Sequence, residues 1–183
     1  MTNFERIPIG VAAPFEVNTI VEVPKGSSNK YRFHAHSESF RYDHTLYSPL
    51  YYPYDFGWIC GTRYETSAQP LSCLIMATNP TFPGCLILAR PVGTMLLEDS
   101  NGPDHKVLCV AVSDPRFVAV ESLSDLSSHA LLEIQHFFEI YQALEQREVQ
   151  IGGWEDVIPT HERIVAFANN WNTFNSRLGA KSD

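Results

Sequence analysis

The 183-residue chain carries 13 Lys and Arg against 21 Asp and Glu, a formal net charge of −8, with 44% hydrophobic and 12% aromatic residues. That length builds one domain with a sizeable core, and the aromatic content excludes a disordered chain. The acidic balance and the lack of any Lys/Arg run exclude nucleic acid or an anionic membrane as the main partner. At 19%, the charged fraction falls below the roughly 25% of an ordinary soluble domain. No stretch approaches the length of about 20 apolar residues that a membrane span needs, and the N-terminus lacks the basic-then-apolar order of a secretory signal. A soluble, cytoplasmic protein is expected. Cys60, Cys73, Cys85 and Cys109 stand singly in apolar surroundings, which predicts reduced, packed thiols.

Short β-rich runs over 18–23, 31–36, 71–76, 85–97 and 106–113, punctuated by Pro and Gly, predict a compact, mainly antiparallel barrel. After Asp125 the period changes. Ile134, Phe137, Phe138 and Tyr141 follow the i, i+3, i+4, i+7 spacing of an amphipathic helix, with Ser127 or Ser128 as its cap. Ile164, Phe167, Ala168 and Trp171 repeat that spacing in a second helix, in whose first turn Pro159 fits. Strands first and helices second give an α+β chain, a single domain over 1–175 with a frayed tail over 176–183.

Several segments go beyond generic patterning: Val21-Glu22-Val23-Pro24 with Asn29-Lys30-Tyr31, Tyr52-Pro53-Tyr54-Asp55-Phe56-Gly57, Pro80-Thr81-Phe82-Pro83-Gly84-Cys85, Arg90-Pro91-Val92-Gly93, and the run from Asp99 through Asp104 to Lys106. With His136-Phe137-Phe138-Glu139 and Gly153-Trp154, they resemble the soluble family I inorganic pyrophosphatases of bacterial type, over roughly residues 5 to 172. The resemblance implies a five-stranded OB-like barrel with flanking α-helices, a homo-oligomer of two trimers, and Mg²⁺-dependent hydrolysis of pyrophosphate to two phosphates. In such chemistry carboxylates gather the metals, the metals activate water, and Lys, Arg and Tyr hold phosphate oxygens.

The family's central motif reads Asp-Gly-Asp-Pro-x-Asp, whereas the aligned stretch here is Ser67-Ala68-Gln69-Pro70-Leu71-Ser72. Gln69 stands where the resemblance places the carboxylate that orients and deprotonates the attacking water, and an amide has no useful basicity. Ser67 and Ser72 stand at metal-ligand positions, where a neutral hydroxyl brings no charge to offset two dications. Arg32 replaces a Glu, His44 an Arg, Phe56 a Tyr and Gln142 a Lys. Retained are Glu22, Asp99 and Asp104 as a weak residual metal set, Lys30, Lys106 and Tyr141 as phosphate contacts with His44 at the former Arg position, and Tyr52. Three lost carboxylates and a Glu-to-Arg exchange outweigh one lost Arg and one lost Lys, so the cleft becomes more cationic.

The expectation is therefore a degenerate pyrophosphatase with weak or no hydrolysis. The alternatives are a hydrolase rebuilt around a different metal or phosphorylated substrate, a non-catalytic phosphate-ligand binder, and a subunit mixed into an oligomer with an active copy. Glu65 lies two positions off register for a replacement ligand. His34 and His36, read as one strand face with Arg32, offer imidazoles for a transition metal. The resemblance places a subunit-contact histidine at His136, and Trp58, Trp154 and Trp171 read as packing residues.

Overall fold

Residues 4–179 other than 48, 68, 100, 101, 146 and 147 are described by a computed structural model. Among the described residues nine strands and two α-helices follow one another: β1 (Val17–Val23), β2 (Asn29–His34), β3 (Ser39–Thr45), β4 (Asp55–Ile59), β5 (Ser72–Met76), β6 (Leu86–Asp99), β7 (Gly102–Pro103), β8 (Lys106–Ala111), α1 (Ser128–Leu144), β9 (Val149–Glu155) and α2 (Val157–Gly179). β1 pairs with β4, β4 with β5, β8 with β6, and β6 returns to β1, all antiparallel. The single parallel pair, β5 with β8, completes the ring. Five strands thus close on themselves, which leaves the barrel no open edge. β7 and β9 extend β6 beyond the ring, and β2–β3 forms a separate hairpin.

Apolar side chains divide into two clusters. One is built on Val23, Leu74, Met95 and Leu108 and is capped by Ile134, Phe137, Phe138 and Tyr141 of α1. The other gathers Val21, Ile59, Cys73, Ile75 and Cys109 with Ile164 of α2. Ser127 caps α1, its hydroxyl accepting the Ala130 N–H at 3.2 Å, and Pro159 sits in the first turn of α2, where its missing donor costs nothing. All four cysteines are free, with Cys60, Cys73 and Cys109 buried and Cys85 half-buried; burial pushes the Cys60 thiol up to about 12.

Four strands escape the sequence pattern, each for a physical reason. β3 is polar because its hairpin is largely solvated. β4 contains Gly57, which looks like a breaker; yet a Cβ there would lie 1.8 Å from the Ile20 carbonyl oxygen, so close approach of β1 demands glycine. β9 carries Gly152 and Gly153, the latter at φ 95°, and falls between the helices, so the strands-then-helices order is corrected. β7 is only two residues long, too short to carry a pattern, and Asn101 before it lies outside the described residues. β2 ends at His34, and Ala35–Ser37 forms a 3₁₀ turn. His36 therefore does not share a strand face with Arg32 and His34. α2 continues past Asn175 to Gly179, with the Ser176 hydroxyl donating to the Asn172 carbonyl at 2.9 Å; residues 180–183 lie outside the described set.

The Asp55 carboxylate explains why two distant motifs belong together. It is 1% exposed and accepts the Lys25 N–H at 2.7 Å and the Thr81 hydroxyl at 2.6 Å. The 24–26 turn and the 80–84 loop are thus pinned to β4, which holds β1 and its Glu22 in place.

Candidate active site

A cleft of about 1920 Å³ opens at one end of the barrel. Its floor follows from the sheet register: Ser72 of β5 lies opposite Trp58 of β4 and opposite Lys106 of β8. Directly paired residues point to one face, so these three side chains form a row across adjacent strands spaced about 4.8 Å apart. Lys106 is 5% exposed. Its Nζ donates to Asp104 Oδ1 at 2.6 Å and lies 5.6 Å and 5.8 Å from the ring centroids of Phe56 and Phe138. Both aromatic residues line the cleft, and Phe138 comes from α1.

A second wall is β2, through Lys30, Arg32 and Phe33. Lys30 Nζ donates to the Tyr141 hydroxyl and lies 5.0 Å from that ring's centroid. Burial first, and then the Arg32 charge with a lesser contribution from Lys106, hold Lys30 below the ordinary lysine range; Glu145 and Asp43 oppose the shift in part. Arg32 also lines the cleft and pairs with Asp43, its Nε donating to Oδ2 at 2.8 Å. Glu22 Oε1 accepts the Phe33 N–H at 2.8 Å, and burial raises its carboxyl above the usual carboxylate range against that hydrogen bond and the Lys30 and Arg32 charges.

The third wall is the 61–70 loop, stitched to itself and to α2. The Tyr64 N–H donates to the Gln69 carbonyl at 3.0 Å, and the Gln69 N–H to Ser67 Oγ at 3.4 Å. The Arg63 N–H donates to the Phe167 carbonyl at 3.1 Å, and Asn170 Nδ2 to the Arg63 carbonyl at 3.4 Å. Tyr64 Oη accepts the His105 N–H at 3.1 Å; burial, with the Asp104 charge adding, pushes that phenol up to about 12.

Glu22, Lys30, Ser67, Gln69, Ser72, Asp99, Asp104, Lys106 and Tyr141 therefore all line one cleft, together with Tyr52, Phe56, Glu65 and Gln142. His44 does not. It pairs with Lys30 in the hairpin register, but its Nε2 lies 2.9 Å from Glu145 Oε1 and its Nδ1 3.3 Å from Asp43 Oδ2, so it bridges the hairpin to the end of α1. His34 and His36 also lie outside the cleft lining, exposed. Trp154 packs against the core, as expected of a packing residue. Trp58 and Trp171, half-buried like Trp154, line the cleft, Trp58 also packing on Phe40 with ring centroids 6.1 Å apart; Phe167 lines it too, and Arg63 and Phe174 join them there without having been singled out. The helical period of α2 marks Phe167 and Trp171, but periodicity does not distinguish a core stripe from a cleft wall.

Among the described residues, no three His, Cys, Asp or Glu side chains gather closely enough to hold an ion. Asp104 is engaged by Lys106 and Glu22 by the Phe33 N–H, while Ser67 and Ser72 add only neutral oxygens. The cleft lining combines Arg6, Lys30, Arg32, Arg63 and Lys106 with Glu22, Glu65, Asp99 and Asp104 and with aromatic surface, so a multiply charged anion would compete with Asp104 for the buried Lys106 ammonium.

Because Lys30 loses its proton at a lower pH than an ordinary lysine, phosphate affinity should decline on the alkaline side before the usual lysine range is reached. Calorimetry over a pH series checks this. The Lys30→Arg variant, which stays charged, should flatten the decline.

The sequence profile of the family described as inorganic pyrophosphatase matches residues 19–172. The inorganic pyrophosphatase of Synechocystis sp. is 42% identical over 166 residues, covering 89% of this chain and 97% of that protein. That of Geobacillus stearothermophilus is 44% identical over 139 residues, covering 76% and 84%. The crystal structure of inorganic pyrophosphatase from Thermus thermophilus superposes with a TM-score of 0.89 at 34% identity, over 93% of this chain and 99% of that one. With both the closed barrel and the sequence in agreement over nearly the whole length, the chain belongs to the inorganic pyrophosphatase family.

Proposed function

We propose that this chain is a pyrophosphatase-family protein that keeps the phosphate-binding cleft but hydrolyses pyrophosphate weakly or not at all, with magnesium binding much reduced. The observation that carries the reading is Ser67, Gln69 and Ser72 lining the cleft where the resemblance places carboxylates. Loss of a water-activating base alone commonly costs about 10²–10⁴-fold, and loss of charge-compensated metals costs more. The test is phosphate release by the purified protein with Mg²⁺, Mn²⁺ or Zn²⁺ in excess. Turnover at least about 10³-fold below that of an intact relative is expected; turnover within tenfold sinks the reading.

The binding half of the proposal rests on Lys106, Lys30 and Tyr141. Gln142 adds to it: 5% exposed, its Oε1 has no hydrogen-bond partner among the described residues. Without metals, a phosphate near neutral pH carries a P–OH proton, and that amide oxygen is an acceptor for it. The compartment is proposed to be the cytoplasm; no helix among the described residues is long and apolar enough to cross a membrane.

The same reading includes a homo-oligomer, a hexamer by family resemblance. On α1, Leu132, Ile140 and Leu144 are 53%, 43% and 41% exposed. They share with the exposed His136 a spacing of four, so the four form one apolar-edged stripe. The Ile140→Lys variant should shift the species seen by light scattering to a smaller assembly without unfolding it. An unchanged mass would remove this stripe as a subunit contact.

A further inference from the structure

The cleft is larger than an inorganic anion needs, and its far end is chemically unlike its floor. Phe167, Trp171 and Phe174 follow one another at i, i+4, i+7 on α2 and all line the cavity, although periodicity alone marks the first two as core. The Arg63 guanidinium is stacked over the Phe174 ring at 3.6 Å, and its own backbone is tied to α2 on both sides, so the stack is held in place before any ligand arrives. Asn170 and Asn175 line the same end and bring amides able to donate and accept.

This shelf is continuous with the cationic floor. The residue preceding Lys106, His105, donates its N–H to Tyr64 Oη, and the Tyr64 ring meets Phe167 edge-on at 4.6 Å. One wall thus leads from the buried ammonium to the stacked rings. A flat, π-faced group with polar edges suits the shelf, and two linked phosphates suit Lys106 and Lys30. We infer that the cleft takes a nucleoside diphosphate, its phosphates on Lys106 and Lys30 and its base stacked on the Trp171–Phe174 shelf. This deepens, and rests on, the reading of the floor as a phosphate-anion site.

The experiment is calorimetry in the presence of a chelator, with pyrophosphate, adenosine diphosphate and adenosine titrated into the full-length protein. Adenosine diphosphate should bind at least about tenfold tighter than pyrophosphate, the lower range of one base–aromatic stack, and adenosine only weakly. Trp171→Ala should erase that preference and leave pyrophosphate affinity within about twofold. Phe174→Leu, which keeps apolar volume on the helix, should act in the same sense and guards against a folding defect in the first variant. Equal affinities for the two diphosphates, or a preference untouched by both substitutions, overturn the inference while leaving the phosphate site standing. Failure to bind either diphosphate overturns both.

Discussion

The triple variant Ser67→Asp, Gln69→Asp, Ser72→Asp is expected to release phosphate from pyrophosphate with Mg²⁺ about 10²–10⁴-fold faster than the parent chain. The argument starts from position. Ser72 is fixed by the β4–β5–β8 register beside Lys106, and Ser67 and Gln69 by the hydrogen-bonded 61–70 loop; all three face the same cavity. New carboxylates at 67 and 72 supply the negative charge that two dications need at close range, and the one at 69 supplies a base. Gln69→Asp alone should gain little, since a base without an activated water has nothing to deprotonate. A phosphate-release assay on the single and triple variants separates the two contributions. If the triple variant stays at the parent rate, the remaining exchanges at Arg32, His44, Phe56 and Gln142 are by themselves sufficient to stop catalysis.

Lys106→Met should weaken pyrophosphate binding by at least about 100-fold, in the range expected for loss of a buried charged partner, while leaving the melting temperature unchanged or raised. The two expectations come from the same burial. Lys106 is 5% exposed among Phe56, Phe138 and Asp104. A desolvated ammonium binds anions strongly because little water competes, but burying it costs folding energy that an apolar residue of similar length does not incur. Asp104, with a third of its side chain exposed, can turn to solvent when its partner is removed. Calorimetry and thermal melts on one preparation read both effects. Undiminished binding would mean that the anion is held elsewhere.

How much of this was legible in the residues depended on which force set each position. α1 was legible because one face meets the core and the other water, so Ile134, Phe137, Phe138 and Tyr141 repeat with the helical period. β5 and β8 were legible as short apolar runs, being buried on both faces. β3 and β9 were not: a solvated hairpin carries no hydrophobic signature, and in β9 the adjacent Gly152 and Gly153 cut short the alternation begun by Val149 and Ile151. The gathering of Glu22, Lys30, Asp99, Asp104, Lys106 and Tyr141 into one cleft came from the ordered motifs. His44 was misplaced because motif position says nothing about rotamer, and the nearby Glu145 and Asp43 draw the imidazole away from the cleft. The α2 shelf was hidden for the opposite reason, since aromatic residues at helical spacing are the same signal whether they face a core or a cavity.

Closure of the barrel through β1 and β6 has a kinetic consequence. The pair that seals the ring joins residues far apart in the chain, as the Thr19 hydroxyl and the Ile87 carbonyl, 68 positions apart, show. The entropy of closing that loop is lost before the sealing contacts form, so folding belongs to the slower regime of chains dominated by distant pairings, on the order of milliseconds to seconds. Ser67, Gln69 and Ser72 belong to neither apolar cluster. Their exchange can therefore change what the protein does without changing how fast it reaches its native state.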